Sequence, residues 1–158
     1  MDEDAKKKAL RKIPYGLFIL TAKHGDDVAS ATVNWVTQTS FKPPLVAVAL
    51  KADTHPYAVV RAAGHFAINV LGDSQKDVAQ AFFSTVHPEG NQLGPVTFSL
   101  GATGAPLINE SPASWECRLV NVAEHGDHHI FIGEVVEAGV RGDDPTLLMR
   151  DTGWNYGG

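Results

Sequence analysis

The segment Ala29–Leu50, ASATVNWVTQTSFKPPLVAVAL, indicates a polar strand, a proline turn and an apolar strand in succession. Its first half is rich in β-branched and polar side chains, and Pro43 and Pro44 separate this half from the apolar run Leu45–Leu50. Polar side chains inside a strand are costly to bury without hydrogen-bond partners. We therefore expect either water or a polar ligand to lie along this strand.

Composition sets the broad class of the protein. The chain has 158 residues, which suits a single domain with one core. Its formal charge of −5 argues against a nucleic-acid partner, because neutralising phosphates requires a basic surface. Cys117 is the only cysteine, so no intrachain disulfide can form, and a mostly charged N-terminal segment does not resemble a signal peptide. These features predict a cytoplasmic protein, and no apolar run is long enough to predict a membrane span.

Hydrophobic periodicity and turn residues predict six or seven strands. They are Tyr15–Ala22, Val28–Val36, Leu45–Leu50, Phe66–Leu71, Trp115–Ala123 and Ile130–Val140, with a short strand at Val96–Leu100. Most sequential strands are joined by short turns, which favours an antiparallel sheet that is closed or nearly closed. The sequence therefore predicts a mainly β protein.

Two or three short helices are predicted between these strands. They cover residues 4–12, Pro56–Ala63 and Ser74–Phe83. Proline at its start and Gly64 after its end support the second helix, and Ser74 and Asp77 are spaced as a capping box for the third. The remaining segment, Thr85–Pro112, is rich in Gly and Pro and is predicted to be a long loop, apart from its one short strand.

Three motifs resemble those of the flavin reductase-like family, whose members are FMN-binding split barrels. The run Ala29–Leu50 is similar to the family's polar strand and proline turn. Gly126–Gly133, GDHHIFIG, is similar to its G-D-H-x-I-F-I-G strand, and Phe66–Leu71, FAINVL, to its F-A-V-N-V-L strand. The motifs occur in family order, and the resemblance extends from about Leu10 to Leu148.

The resemblance implies a closed antiparallel split β-barrel of six or seven strands, of Greek-key type, forming one FMN-binding domain over residues 1–158. It implies a homodimer with FMN, or less often FAD, near the interface. NADH or NADPH would pass a hydride to flavin N5, which makes the expected protein an NAD(P)H:flavin reductase. The reduced flavin would serve a partner oxygenase or electron-transfer protein.

The resemblance also assigns candidate site residues. Lys51 and the Thr54 hydroxyl would bind the phosphate, together with free backbone N–H groups around His55 at the start of a helix. The full cofactor set is Thr32, Asn34, Trp35, Val36, Thr37, Ser40, Lys51, Thr54, His55, Asn69 and Tyr156. His128 maps onto the family's histidine near the nicotinamide and is the candidate catalytic residue. The competing interpretation is a polar edge strand followed by an ordinary proline-started helix.

The histidine-rich turn and Asn69 each have a second interpretation. His125, Asp127, His128 and His129 include metal-ligating residue types, but His128 and His129 would point to opposite faces of a hairpin, so we expect no metal site. Asn69 stands in an apolar strand, where a buried backbone partner is as plausible as a ligand contact.

The sequence departs from the family pattern at Trp35, where the family usually has serine, and in the aromatic tail Thr152–Gly158. Aromatic side chains beside a flat ring system favour its retention. Trp154 and Tyr156 would either reach the ligand site or seal the barrel against a partner subunit. The second functional hypothesis is therefore an electron-transfer protein with tightly bound FMN and no NAD(P)H turnover of its own. A third is a barrel that binds another flat ligand or none.

Overall fold

The computed structural model describes residues 1–158, which form eleven strands and four helices. The strands are β1 (Phe18–His24), β2 (Asp27–Val33), β3 (Val36–Phe41), β4 (Pro44–Lys51), β5 (His65–Val70), β6 (Pro88–Glu89), β7 (Gln92–Leu93), β8 (Val96–Leu100), β9 (Pro106–Ile108), β10 (Ala113–Ala123) and β11 (His128–Val140). The helices are α1 (Glu3–Leu10), α2 (His55–Ala63), α3 (Lys76–Ala81) and α4 (Met149–Thr152). The chain is thus mainly β, as predicted.

Seven strands form one antiparallel sheet in the order β2-β1-β5-β10-β11-β4-β3. The prediction of a closed barrel is wrong, because β2 and β3 lie at opposite edges of this sheet and do not pair. The edge of β2 bonds instead to the α3 segment: Thr32 N donates to Phe82 O at 3.3 Å, and the Thr32 hydroxyl donates to Ala79 O at 2.6 Å. Chain from outside the sheet thus occupies part of the edge that closure would need, and the sheet stays open.

The predicted loop Thr85–Pro112 contains a second sheet, of four strands in the order β6-β7-β8-β9. Only β8 is expected from the sequence, because strands of two or three residues carry too little periodicity to detect. The predicted strand Val28–Val36 is also interrupted, since β2 ends at Val33 and β3 begins at Val36. The intervening pair, Asn34 and Trp35, links the two edges of the main sheet.

The helices follow local signals with one exception. Asp2 caps α1 by accepting from Asp4 N and Ala5 N, and α2 ends at Gly64, whose φ of 71° suits glycine. The predicted capping box of α3 is wrong, because the helix begins at Lys76 and no side chain caps it. The short helix α4 has no counterpart among the predicted helices. None of the four helices is long and apolar enough to cross a membrane.

Two apolar clusters hold the elements together. One packs α2 against the main sheet and includes Val60, Phe66 and Phe131. It also contains Cys117, whose thiol pKa burial raises to about 12, as expected for a core side chain. The second cluster packs α3 and the second sheet against the other side of β1 and includes Phe82. These clusters fix the start of α2 and the end of α3 beside the Asn34–Trp35 link.

Candidate functional site

A cavity of about 770 Å³ lies where the link between the two sheet edges meets the start of α2, the end of α3 and the C-terminal tail. This volume is within the range of sites for small molecules and cofactors. Eight of the predicted site residues line it: Thr32, Asn34, Trp35, Lys51, Thr54, His55, His128 and Tyr156. The topology brings them together because β4 pairs with β11, which sets Lys51 opposite His128.

Three side chains in the cavity wall have buried donor atoms without hydrogen-bond partners. They are the Ser30 hydroxyl, Asn34 Nδ2 and Trp35 Nε1. A buried donor without a partner costs about 1–3 kcal/mol, so natural proteins rarely leave one unexplained. Three such donors in one wall indicate a ligand that presents several acceptors to it.

One end of the cavity is positively polarised. Lys51 ends β4, and the nine-residue helix α2 begins at His55 with no side-chain cap on its free N–H groups. The sequence suggested that the Thr54 hydroxyl is a free donor for the phosphate. In the structure it donates to Lys51 O at 2.8 Å instead. His55 Nε2 lies 2.8 Å from Asp27 Oδ1, which orients the imidazole at the helix start. Lys51 and the helix terminus together favour an anion here.

His128 stands between two other polar groups. Its Nδ1 is 2.9 Å from Asp127 Oδ1 and its Nε2 is 2.7 Å from the Tyr156 hydroxyl. The Trp35 ring lies 4.8 Å from the His128 ring and 5.4 Å from the Tyr156 ring, centroid to centroid. The hydrogen bond with His128 lowers the pKa of Asp127, and burial, followed by the charge of Asp127, raises the pKa of Tyr156. At neutral pH Asp127 is therefore a carboxylate and Tyr156 a phenol.

Four predicted residues do not reach the cavity wall. Val36, Thr37 and Ser40 lie on the edge strand β3, where the Thr37 hydroxyl bonds only to the neighbouring Gln38 O at 3.3 Å. Asn69 is fully buried in β5, and its amide bonds to Ile19 O, to the Thr21 hydroxyl and to Ile108 N. Of the two roles considered for Asn69, the structure thus contains the buried backbone partner and not the ligand contact.

The cavity also has lining residues that sequence reasoning missed. The polar and aromatic ones among them are Ser30 on β2, Phe82, Phe83, Ser84 and Thr85 after α3, and Asn155 in the tail. Ser84 and Thr85 are two polar residues after the end of a helix, a common pattern, so no sequence motif predicts that they line a cavity. Trp154 also lines the cavity and packs on Phe83 with centroids 4.9 Å apart, which favours the first of the two roles considered for the tail.

The rival metal site is not assembled. His128 faces the cavity, whereas the next residue, His129, faces the other side of the strand and meets the Tyr57 hydroxyl at 2.8 Å. No three His, Cys, Asp or Glu side chains converge in a way that could hold a metal ion.

Comparisons with known proteins agree with this geometry. A family model described as "Flavin reductase like domain" matches residues 10–157. A "Probable flavin reductase" of Rhizobium meliloti is 35% identical over 138 residues, which cover 85% of this chain and 42% of that protein. The reductase component of a 4-nitrophenol 4-monooxygenase/4-nitrocatechol 2-monooxygenase from Rhodococcus opacus is 35% identical, covering 85% of this chain and 71% of that one.

A solved structure gives the same match in three dimensions. The NADH:FAD oxidoreductase SgcE6 of Streptomyces globisporus C-1027, in complex with NAD and FAD fragments, superposes with a TM-score of 0.80 at 30% identity. The match covers 94% of this chain and 92% of that one. The chain therefore spans nearly all of this structural relative but less than half of the Rhizobium meliloti protein.

Proposed function

The chain belongs to the flavin reductase-like domain family, and from that premise we propose that it is an NADH-dependent flavin reductase with FMN in the described cavity. The observation that carries the proposal is the set of three unpartnered buried donors, Ser30 Oγ, Asn34 Nδ2 and Trp35 Nε1, in a cavity with a cationic end. A flavin mononucleotide has ring and polyol acceptors for such donors and a phosphate for the cation. Residues 1–158 would form one FMN-binding domain.

The chain's own residues would each have a defined task. Lys51 and the first N–H groups of α2 would bind the phosphate, and Asn34 and Trp35 would face acceptors of the ring system. The bound flavin would supply the redox chemistry by taking a hydride from the nicotinamide donor at N5. The protein would position the two ring systems and exclude water, a task that needs no nucleophilic side chain.

The charged residues of the cavity favour NADH over NADPH as the hydride donor. Lys51 is the only lysine in its wall, and no arginine lines it. The flavin phosphate would use Lys51, which leaves no strong cation for the additional phosphate of NADPH. Two relatives are named "NADH-dependent FMN reductase" and "NADH:FAD oxidoreductase", and these names support the same choice.

A second candidate function is an electron-transfer flavoprotein that keeps its FMN. The observation in its favour is the tail, because Tyr156 and Trp35 cover the His128 side of the cavity, where a donor would enter. A retained flavin would then receive electrons from a protein and not from NADH.

The remaining proposals concern assembly and partners. The strands β10 and β11 expose the side chains of Val120, Ile130, Val136 and Val140, and Phe41 on β3 is 87% exposed. An exposed apolar surface of this kind favours a homodimer formed through these strands.

The names of relatives that are reductase components support an oxygenase as the user of the reduced flavin. The single, buried cysteine supports a cytoplasmic location.

The direct test is to load the protein with FMN and mix it with NADH, and separately with NADPH, in the absence of oxygen. Loss of the flavin's visible absorbance within seconds with NADH is the expected result, and NADPH should act more slowly. A flavin that binds but stays oxidised with both donors would contradict the reductase and leave the electron-transfer protein. Protein that binds no FMN at all would contradict both.

A further inference from the structure

The hydrogen-bonding capacity of His128 is fully used inside the protein. An imidazole has two hydrogen-bonding atoms, and here Nδ1 meets Asp127 while Nε2 meets Tyr156. The side chain of His128 is only 13% exposed. The residue that the sequence suggested as the donor's contact therefore has no free atom for a ligand in this conformation.

The direction of each hydrogen bond follows from the charges. Asp127 is a carboxylate and can only accept, so His128 Nδ1 carries the proton and donates it to Asp127. When the ring carries only this one proton, Nε2 is an acceptor, and the Tyr156 hydroxyl donates to it. The Tyr156 proton is thereby used, and only the lone pairs of its oxygen remain for a ligand. Tyr156 thus meets a ligand as an acceptor and not as a donor.

Tyr156 is both accessible and held in place. It lines the cavity and is 48% exposed, in contrast to His128. On one side of it Trp154 packs on Phe83, and on the other Gly157 lies so close to Trp35 that a Cβ there would stand 2.9 Å from Cζ2. The positive φ of Gly157, 89°, and this contact both suit glycine. The tail therefore holds a fixed acceptor at the cavity wall.

We propose that Tyr156 is a specificity-determining residue whose hydroxyl oxygen accepts a hydrogen bond from the carboxamide N–H of the nicotinamide donor. Asp127 and His128 are positioning residues that act through it, because they fix its proton on the side away from the ligand. This inference rests on the proposed function, since it concerns the donor of that same reaction. It assigns recognition of the amide to the C-terminal tail and not to the histidine of the G-D-H motif.

The test compares two oxidised dinucleotides that differ only at this group. NAD⁺ carries a carboxamide, and 3-acetylpyridine adenine dinucleotide carries an acetyl group that has the carbonyl but no N–H. Both are titrated into FMN-loaded protein, and binding is followed by calorimetry, so that no turnover is required. Because one neutral hydrogen bond is at stake, we expect NAD⁺ to bind about 3- to 10-fold more tightly.

The variant Tyr156→Phe should remove this preference, because it keeps the ring and removes the hydroxyl, and with it both the acceptor for the ligand and the hydrogen bond to His128. The matched control is Tyr15→Phe, which alters a tyrosine outside the cavity and should keep the preference of the wild type. Equal binding of the two dinucleotides by the wild type, or an undiminished preference in Tyr156→Phe, would overturn the inference. Bleaching of the wild-type flavin by NADH is measured separately, and its failure would overturn the proposed function instead.

Discussion

Asn34 and Asn69 are both buried asparagines next to apolar strand residues, yet their surroundings differ completely. Asn69 is fully buried and has three hydrogen bonds, to Ile19 O, to the Thr21 hydroxyl and from Ile108 N. Asn34 is 6% exposed, and its Nδ2 has no partner. The comparison shows that burial of a polar side chain does not by itself identify a binding site. A ligand wall is indicated where several unsatisfied buried donors lie together in one cavity, as Ser30, Asn34 and Trp35 do here.

The positions of the two residues explain the difference. Asn69 lies in the middle of the main sheet, on a strand flanked by β1 and β10, and its side chain also reaches β9 of the second sheet. Thr21, one of its partners, donates in turn to Pro106 O at 2.5 Å. Asn34 lies in the link between the two edge strands β2 and β3, outside the ladders of the main sheet, so no neighbouring strand lies beside its side chain to pair with it. The amide of Asn69 in the core therefore joins the two sheets, whereas the Nδ2 of Asn34 at the edge remains available to a ligand.

The largest expected effect is on stability, from Asn69→Leu. This change keeps the volume but leaves Ile108 N buried without its partner, whereas Ile19 O is still paired with the backbone of residue 69 through the β1–β5 ladder. We expect the free energy of unfolding to fall by about 3 kcal/mol, since orphaning Ile108 N costs about 1–3 kcal/mol and the side-chain hydrogen bonds to Ile19 O and Thr21 are also lost. Urea denaturation measures this loss, and the folded fraction should bind FMN as the wild type does. Normal stability combined with lost FMN affinity would reverse the roles assigned to the two asparagines.

Lys51→Ala should have the largest effect on ligand binding. A charge-assisted hydrogen bond to phosphate contributes about 1.5–3 kcal/mol, so the Kd for FMN should rise about 10- to 100-fold. Because the interaction is ionic, the difference should shrink as salt is added. The matched control is Lys42→Ala, an exposed lysine outside the cavity, which should leave the Kd unchanged. Fluorescence titration of FMN at two salt concentrations tests both expectations, and an unchanged Kd would exclude Lys51 from the phosphate site.

Asn69→Leu should lower stability and leave FMN binding unchanged, whereas Asn34→Leu should weaken FMN binding without lowering stability. Removing an unpartnered buried donor relieves its desolvation cost, so the ligand-free protein should be as stable as the wild type or slightly more stable. The Kd for FMN should rise about 3- to 10-fold, because one neutral hydrogen bond to the ligand is lost. Denaturation without ligand and titration with FMN measure the two effects. A loss of stability as large as that of Asn69→Leu would mean that Asn34 is structural.

The sequence is sufficient to predict the strands of the main sheet apart from β3, but not the shortest strands of the second sheet or how the edges of the main sheet pair. Alternating apolar residues show which face of a strand is buried, and short turns predict antiparallel neighbours. Neither signal shows whether β2 and β3 pair, and here β2 bonds to Ala79 and Phe82 of the α3 segment instead. The expectation of a closed barrel came from family resemblance together with short turns, and the strand order overturns it. The motifs do identify the family correctly, because three of them occur in the right order.

The site is predictable where residues follow strands that carry motifs. Lys51 follows an apolar strand, and His128 lies in the GDH motif, so both can be placed in one site from the sequence. Thr37 and Ser40 continue the polar run and are therefore predicted to belong to the site, but that run becomes the edge strand β3, which leaves the cavity. Ser30 and Phe83 reach the cavity through tertiary packing alone, which no local pattern records.

The smallest expected effect comes from polar groups that are paired but exposed, as in the ion pair of Arg61 and Glu124. The hydrogen bond from Arg61 lowers the pKa of Glu124 below its ordinary value of 4.5. A carboxylate of this kind stabilises the fold above its unfolded-state pKa, and the contribution disappears as the pH falls through the lowered value. Glu124→Gln should therefore be slightly less stable than the wild type at pH 7 and equally stable at a pH well below 4.5. Urea denaturation across this pH range, with Glu89→Gln as the exposed control, tests the effect. A difference that grew towards low pH would contradict it, whereas a small one confined to neutral pH would show that pairing without burial adds little to stability.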